Sequence, residues 1–350
     1  MKMRLKKTNL LKTRIPFPVV LVLVPLAACA AYFVRPQTPA AGTDARHGPV
    51  STMEQVRREN YEFTRPLILA NATAEDPRLD TIMKNIAVYI GARTQDGMLQ
   101  TASIYLRIVN TGAWAVSNGQ ERYSAGSLLK LPLLIYFLKE SESDPSILGK
   151  GVYFQKHFEV SRKPQIVEQP LKPGSFYTVE ELLRRMIVYS DNDATILLNN
   201  LAGPRADGDV FDALHLMRPD WTSGDYFIGI EEYSRFFRVL FNATYLEPSL
   251  SDYALKLLAQ SSFKGGLMRP IDPSIKVPRK FAERGTKGVS EFHEMGIVYL
   301  RNEPYLLGVM TKGRDLTELE NVVADVSQIV FSQLSKAAIS FLQIMQFISA

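Results

Sequence analysis

The chain has 350 residues, 22% of them charged and one of them cysteine, with a formal net charge of +5. That length can bury a substantial core, and the lone Cys29 excludes an internal disulfide and a cysteine-ligated metal site. Seven basic residues (Lys2, Arg4, Lys6, Lys7, Lys12, Arg14 and Arg35) fall within residues 1–35 beside no acidic one, so +5 less these seven leaves −2 for the rest and no surplus for nucleic acid.

In chain order, residues 1–14 form a basic cytoplasmic segment and Ile15–Val34 an uncharged run of 20 residues, long enough to cross a bilayer as a helix. The run predicts a single-pass anchor in a bacterial cytoplasmic membrane, with everything after it extracytoplasmic. Two other fates are open, cleavage after "ACA" and lipidation at Cys29, whose "LAAC" resembles a lipobox. Residues 35–58 read as a linker, rich in proline and small residues at first. One domain follows over 59–336, and 337–350 form an apolar tail.

Leu79, Ile82, Met83, Ile86 and Ile90 carry helical spacing, and "TASIYLRIVN" and "AWAVSNG" read as a β-hairpin. A helix opens at Ser127. Thr178 and Glu181 form a capping box for the next, and "ATILLNNLA" ends at Gly203, the expected residue after a helix end. Helices follow in "IEEYSRFFRVLFNATYL" and "SDYALKLLAQ", then strands near "SIKVPRKFA", "EMGIVYL" and "YLLGVMT", then a last helix capped by Thr317 with Glu320. This order predicts an α+β fold, a five-stranded mainly antiparallel sheet flanked by helices with a helical region inserted.

Ser127 and Lys130 share a face at a helix start, so the amine can reach the hydroxyl. Apolar surroundings would lower the lysine pKa and give a base for the serine proton. A second copy, Ser261 to Lys264, runs straight into two glycines and lacks that setting. Ser190, Asp191 and Asn192 lie between two helices, where each residue type also serves as an ordinary cap. The four histidines show no metal-ligand spacing, and no metal or organic cofactor is called for.

With Ser-x-x-Lys followed by Ser-Asp-Asn, the chain resembles the class A β-lactamase and penicillin-binding-protein superfamily over roughly residues 60–335. The resemblance implies the β-lactamase/transpeptidase-like fold and a serine hydrolase acting on β-lactams or peptidoglycan D-Ala-D-Ala stems. In it Ser127 is the nucleophile, Lys130 its base and Ser190 a proton relay. Asn192 orients substrate, and the backbone N–H groups of Ser127 and Glu283 form an oxyanion hole. The family's third motif, Lys-Thr-Gly, maps onto Lys280, Phe281 and Ala282, in preference to "TKG" at 286–288; Phe281 lacks the hydroxyl that would bind a substrate carboxylate, and Ala282 adds a methyl. The "Glu-x-x-Leu-Asn" loop that supplies the family's water-activating glutamate is missing. Glu231 and Glu232 read as first-turn acids, and Asp212, Asp220 and Asp225 are unranked substitutes. Acylation without efficient turnover is one expectation; a cell-wall-binding domain that keeps the fold is the other.

Overall fold

The computed structural model describes residues 54–58, 67–71, 76–159, 170–203, 208–219, 226–286, 288–301 and 303–348. All belong to the unit that begins at Thr43. The apolar run 15–34, Cys29, most of the linker, Asp220, Asp225 and Lys287 lie outside the described residues. Among those described, no helix is long and apolar enough to cross a membrane.

The elements run β1 (Glu54–Arg57), β2 (Leu67–Asn71), α1 (Pro77–Gln95), β3 (Leu99–Ile108), β4 (Trp114–Ser117), β5 (Arg122–Ser124), a 3₁₀ turn (Gly126–Leu129) and α2 (Lys130–Ser143). There follow β6 (Gly151–Phe154), β7 (Ser175–Thr178), α3 (Val179–Val188), α4 (Asn192–Ala202), α5 (Asp209–Ala213), β8 (Phe227–Gly229), α6 (Ile230–Phe241) and α7 (Pro248–Ala259). The chain closes with β9 (Arg279–Thr286), β10 (Val289–Val298), β11 (Tyr305–Gly313) and α8 (Leu316–Ile348).

Five strands form one antiparallel sheet in the order β4-β3-β11-β10-β9, as the strand order predicts. One face packs Leu79, Ile82 and Ile86 of α1 against Val322, Val326 and Val330 of α8. The other face carries the helical region. Leu131 to Leu138 of α2 are all buried, which marks a helix covered on every side. Strand β9 is an edge strand, so one row of its backbone groups faces away from the sheet.

Thr178 caps α3, accepting the Glu181 N–H at 3.1 Å, but the Glu181 side chain pairs with Arg185, so only half of the expected capping box forms. Thr178→Ala should therefore lower stability by about 1 kcal/mol, read from a denaturant midpoint at unchanged m-value. Gly203 closes α4 with φ +64°. The last helix differs from expectation at both ends. Its cap is Asp315, whose carboxylate accepts the Glu318 N–H at 3.0 Å, so Thr317 lies inside the helix. The segment 337–348 is not a separate tail but continues α8 to Ile348. Three two-stranded pairings, β1-β2, β5-β8 and β6-β7, were absent from the sequence reading.

Candidate active site

Ser127 sits in the 3₁₀ turn between β5 and α2. The turn is fixed from several sides: Ala125 N–H donates to Tyr226 O at 2.8 Å, Tyr233 OH donates to Leu128 O at 3.2 Å, and Lys130 N–H donates to Ser127 O. Gly126 adopts φ +49°, a left-handed conformation that favours glycine. A Cβ there would meet the Ala282 Cβ at 3.6 Å, so the methyl of Ala282 packs over the residue before Ser127. The Glu283 carbonyl oxygen lies 4.0 Å from the same point. Because N–H and C=O of one strand residue point to the same side, the Glu283 N–H also faces the turn that carries Ser127.

Lys130, the first residue of α2, is 3% exposed. Its ammonium donates to Ser190 O at 2.5 Å, Ser190 Oγ at 3.0 Å and Asn192 Oδ1 at 2.8 Å. These three bonds go to the Ser-Asp-Asn segment, whereas the sequence reading aimed the amine at Ser127. Ser190 follows the end of α3 in a left-handed conformation, φ +55°, which a non-glycine residue adopts only under strong constraint. Asp191 then caps α4, accepting the Ala194 N–H at 3.1 Å, and Asn192 opens that helix. The three residues are thus a cap and turn, as their types suggest, and that turn also presents Ser190 and Asn192 to Lys130.

Lys280 enters from β9 and is 1% exposed. It donates to Ser190 Oγ at 3.1 Å and to Phe281 O at 2.8 Å. The Ser190 hydroxyl is therefore bracketed by two buried amines. The Phe281 ring is stacked on Phe263 with centroids 4.3 Å apart and lies near Phe292 at 6.3 Å, and the Lys280 ammonium sits over it, 4.5 Å from its centroid.

Burial holds the Lys130 amine well below its usual range; the Lys280 charge acts in the same direction, against Asp191 and Glu283. Lys280 is brought down to about 7, mainly by burial and also by Arg279, with Glu294 and Glu283 opposing. Burial raises the carboxyl of Asp191, and burial with Glu320 raises that of Glu283.

Two of the acids weighed as substitutes for the missing glutamate are engaged elsewhere, and Asp220 and Asp225 lie outside the described residues. Glu232 accepts the Gly229 N–H at 3.0 Å and pairs with Arg122, which makes it the cap of α6. Asp212 pairs with Arg218. A surface cleft of about 1010 Å³, lined by Lys139, Glu142, Asp209 and Tyr245 among others, contains none of Ser127, Lys130, Ser190 or Lys280.

A model of the beta-lactamase enzyme family matches residues 81–334. The chain belongs to that family. No match was found among curated proteins. Solved structures with this fold include PBP-A, at 18% identity and TM-score 0.62 over 74% of this chain and 97% of that one. A class A beta-lactamase from Bacteroides cellulosilyticus DSM 14838 matches at 18% identity and TM-score 0.63, over 75% of this chain and all (100%) of the other. A beta-lactamase from Sphaerobacter thermophilus DSM 20745 matches at 20% identity and TM-score 0.61, over 71% and 96%. Two polar pairs near the site segments were missed in the sequence. Beside Lys280, Arg279 Nε lies 3.2 Å from Glu294 Oε1, both side chains buried, and on α4 Asp193, next to Asn192, pairs with His157 at 2.7 Å and accepts the Phe158 N–H at 3.0 Å. No local spacing announces these pairs, since the partners are 15 to 36 residues apart.

Proposed function

We propose that this chain is an extracytoplasmic serine hydrolase of the penicillin-binding and β-lactamase type, held at the membrane by residues 15–34 and acylated at Ser127 by β-lactams or D-Ala-D-Ala peptides. The observation that carries the reading is the Ser190 hydroxyl at 3.0 Å from Lys130 Nζ and 3.1 Å from Lys280 Nζ, with Ser127 one helical turn before Lys130. A relative of the same fold, a PBP-A variant, has been solved as an acyl-enzyme with penicillin G, at 20% identity and TM-score 0.61 over 74% of this chain and 97% of that one.

The chemistry follows from the charge states. Burial holds the Lys130 pKa down, which favours the uncharged amine that can act as a base. Ser127 Oγ bonds to the acyl carbon as its proton passes to the Lys130 amine. The carbonyl oxygen takes up negative charge between the N–H groups of Ser127 and Glu283. As the C–N bond breaks, Ser190 passes a proton to the leaving nitrogen and is resupplied from Lys130. Asn192 orients the acyl side, and Lys280 supplies positive charge for a substrate carboxylate. Lys280 at about 7 is the titrating cation, so acylation should fall as pH rises through about 7, and a Lys280→Ala variant should lose that limb.

Release is the slow step in this reading, because the sequence lacks the family's water-activating glutamate, while Glu232 caps a helix and Asp212 pairs with Arg218. The test is a time course with a chromogenic β-lactam. A burst of one equivalent per chain, then turnover slower by about 10²-fold or more, is expected. A linear course without a burst would overturn slow release. A second reading, a wall-binding domain without acylation, is favoured by the Phe281 ring, which stacks on Phe263 and leaves no hydroxyl for a carboxylate. Absence of any burst product would select it.

A further inference from the structure

Behind the two lysines, the segment Ser261–Leu267 joins the two parts of the site. Ser262 N–H donates to Val188 O at 2.9 Å, at the helix end two residues before Ser190. The Arg279 guanidinium, next to Lys280, donates to Phe263 O and, at 3.5 Å, to Ser261 O. Glu294 closes the arrangement. One carboxylate oxygen is 3.2 Å from Arg279 Nε, and the other accepts the Leu267 N–H at 2.8 Å. Gly266, at φ +52°, lies so close that a Cβ there would overlap this carboxylate. Arg279, Lys280 and Glu294 are each no more than 2% exposed. A buried ion pair of this kind is costly to desolvate, and removing one partner is more costly still.

We propose that Glu294 is a positioning residue for the Ser190–Lys280 contact: with Arg279 it clamps the 261–267 segment between the strand bearing Lys280 and the helix end bearing Ser190, and its carboxylate faces the Lys280 amine as counter-charge. The proposal rests on the serine hydrolase reading above, since it needs Lys280 as a working cation. In register, Glu294 stands opposite Phe281 on β10 and Met295 opposite Lys280. The charged groups around Lys280 are Glu294, Arg279 and Glu283 from the sheet and Lys130 from α2; around Glu294 they are Arg279, Lys280 and, from α8, Glu320. Burial raises the Glu294 carboxyl to about 7, against the pull of Arg279 and Lys280. Lys280 and Glu294 therefore titrate as a coupled pair in the range where the site works.

Two variants separate the charge of Glu294 from its packing. Glu294→Gln removes the anion and keeps an oxygen for the Leu267 N–H. Glu294→Asp keeps the anion on a stem one methylene shorter. The full chain, detergent-solubilised, is mixed with a fluorescent penicillin, and the acylation rate is followed against pH by stopped flow. The falling limb, near pH 7 in the wild type, should move down by about one unit in Glu294→Gln, as expected for a neighbouring anion removed in a buried site, and return most of the way in Glu294→Asp. An unmoved limb in Glu294→Gln, an equal shift in both variants, or failure of Glu294→Gln to fold would overturn the proposal and leave the pair a structural one. Absence of acylation in the wild type at every pH would instead overturn the hydrolase reading, and the proposal with it.

Discussion

Ser127→Ala is expected to abolish labelling by penicillin, lowering the acylation rate by at least about 10⁴-fold, while the variant melts as the wild type does. Ser127 is half-buried in a turn whose geometry depends on backbone bonds from Ala125, Leu128 and Lys130 and not on the serine side chain. The substitution removes one oxygen at a position where a methyl already fits. Loss of acylation with an intact fold is therefore the signature of a nucleophile. A gel-fluorescence labelling course beside a thermal melt reads both quantities.

Lys130→Met should cost about 10²- to 10⁴-fold in acylation, the range typical for a positioned base. Methionine fills much of the lysine stem but leaves Ser190 O, Ser190 Oγ and Asn192 Oδ1 without their shared donor. The stability consequence has a definite sign. The native amine titrates below its unfolded value, so between the two values the unfolded chain holds more protons than the native one. Stability contributed by this group therefore rises with pH across that interval, and at neutral pH the buried amine is a burden on the fold. Lys130→Met should lose that pH dependence while losing activity, as seen when denaturant midpoints are compared at pH 7 and pH 9. An equal pH slope in both proteins would show that the amine is not held neutral.

The sequence made the local parts of this site readable and left the long-range parts hidden. Ser127 and Lys130 stand out because a three-residue spacing at a helix start fixes their relation regardless of tertiary context. Ser190, Asp191 and Asn192 stand out because a helix end followed by a cap is a local event. Lys280 was placed by family resemblance, and its bond to Ser190 spans 90 residues. Arg279 and Glu294 gave no signal: in a strand, a charged residue reads as solvent-facing, and only the sheet register and the 261–267 segment bury them together. The Ser-x-x-Lys copy at 261–264 was set aside as a nucleophile, yet it belongs to that segment, with Lys264 donating to Ser261 O at 3.3 Å.

At fold level the same division holds. The five-stranded sheet and its helices follow from periodicity and strand order. The short pairs, such as Tyr123 opposite Ile228, join three-residue strands about a hundred residues apart, and their length carries no alternation to read. The last helix was misread at its start because Asp315 precedes Thr317 with equal capping chemistry, and at its end because 335–348 contain neither proline nor glycine to stop it. Phe281 shows a further limit: the letter removes a hydroxyl from the family motif, but only the structure shows the ring stacked on Phe263 with the Lys280 ammonium over it.

The most direct measurement is intact-protein mass spectrometry of the full chain after incubation with penicillin, followed by peptide mapping. The account predicts one adduct per chain, located on the peptide that contains Ser127 and absent from Ser127→Ala. An adduct on another residue, or one that persists in Ser127→Ala, would contradict it.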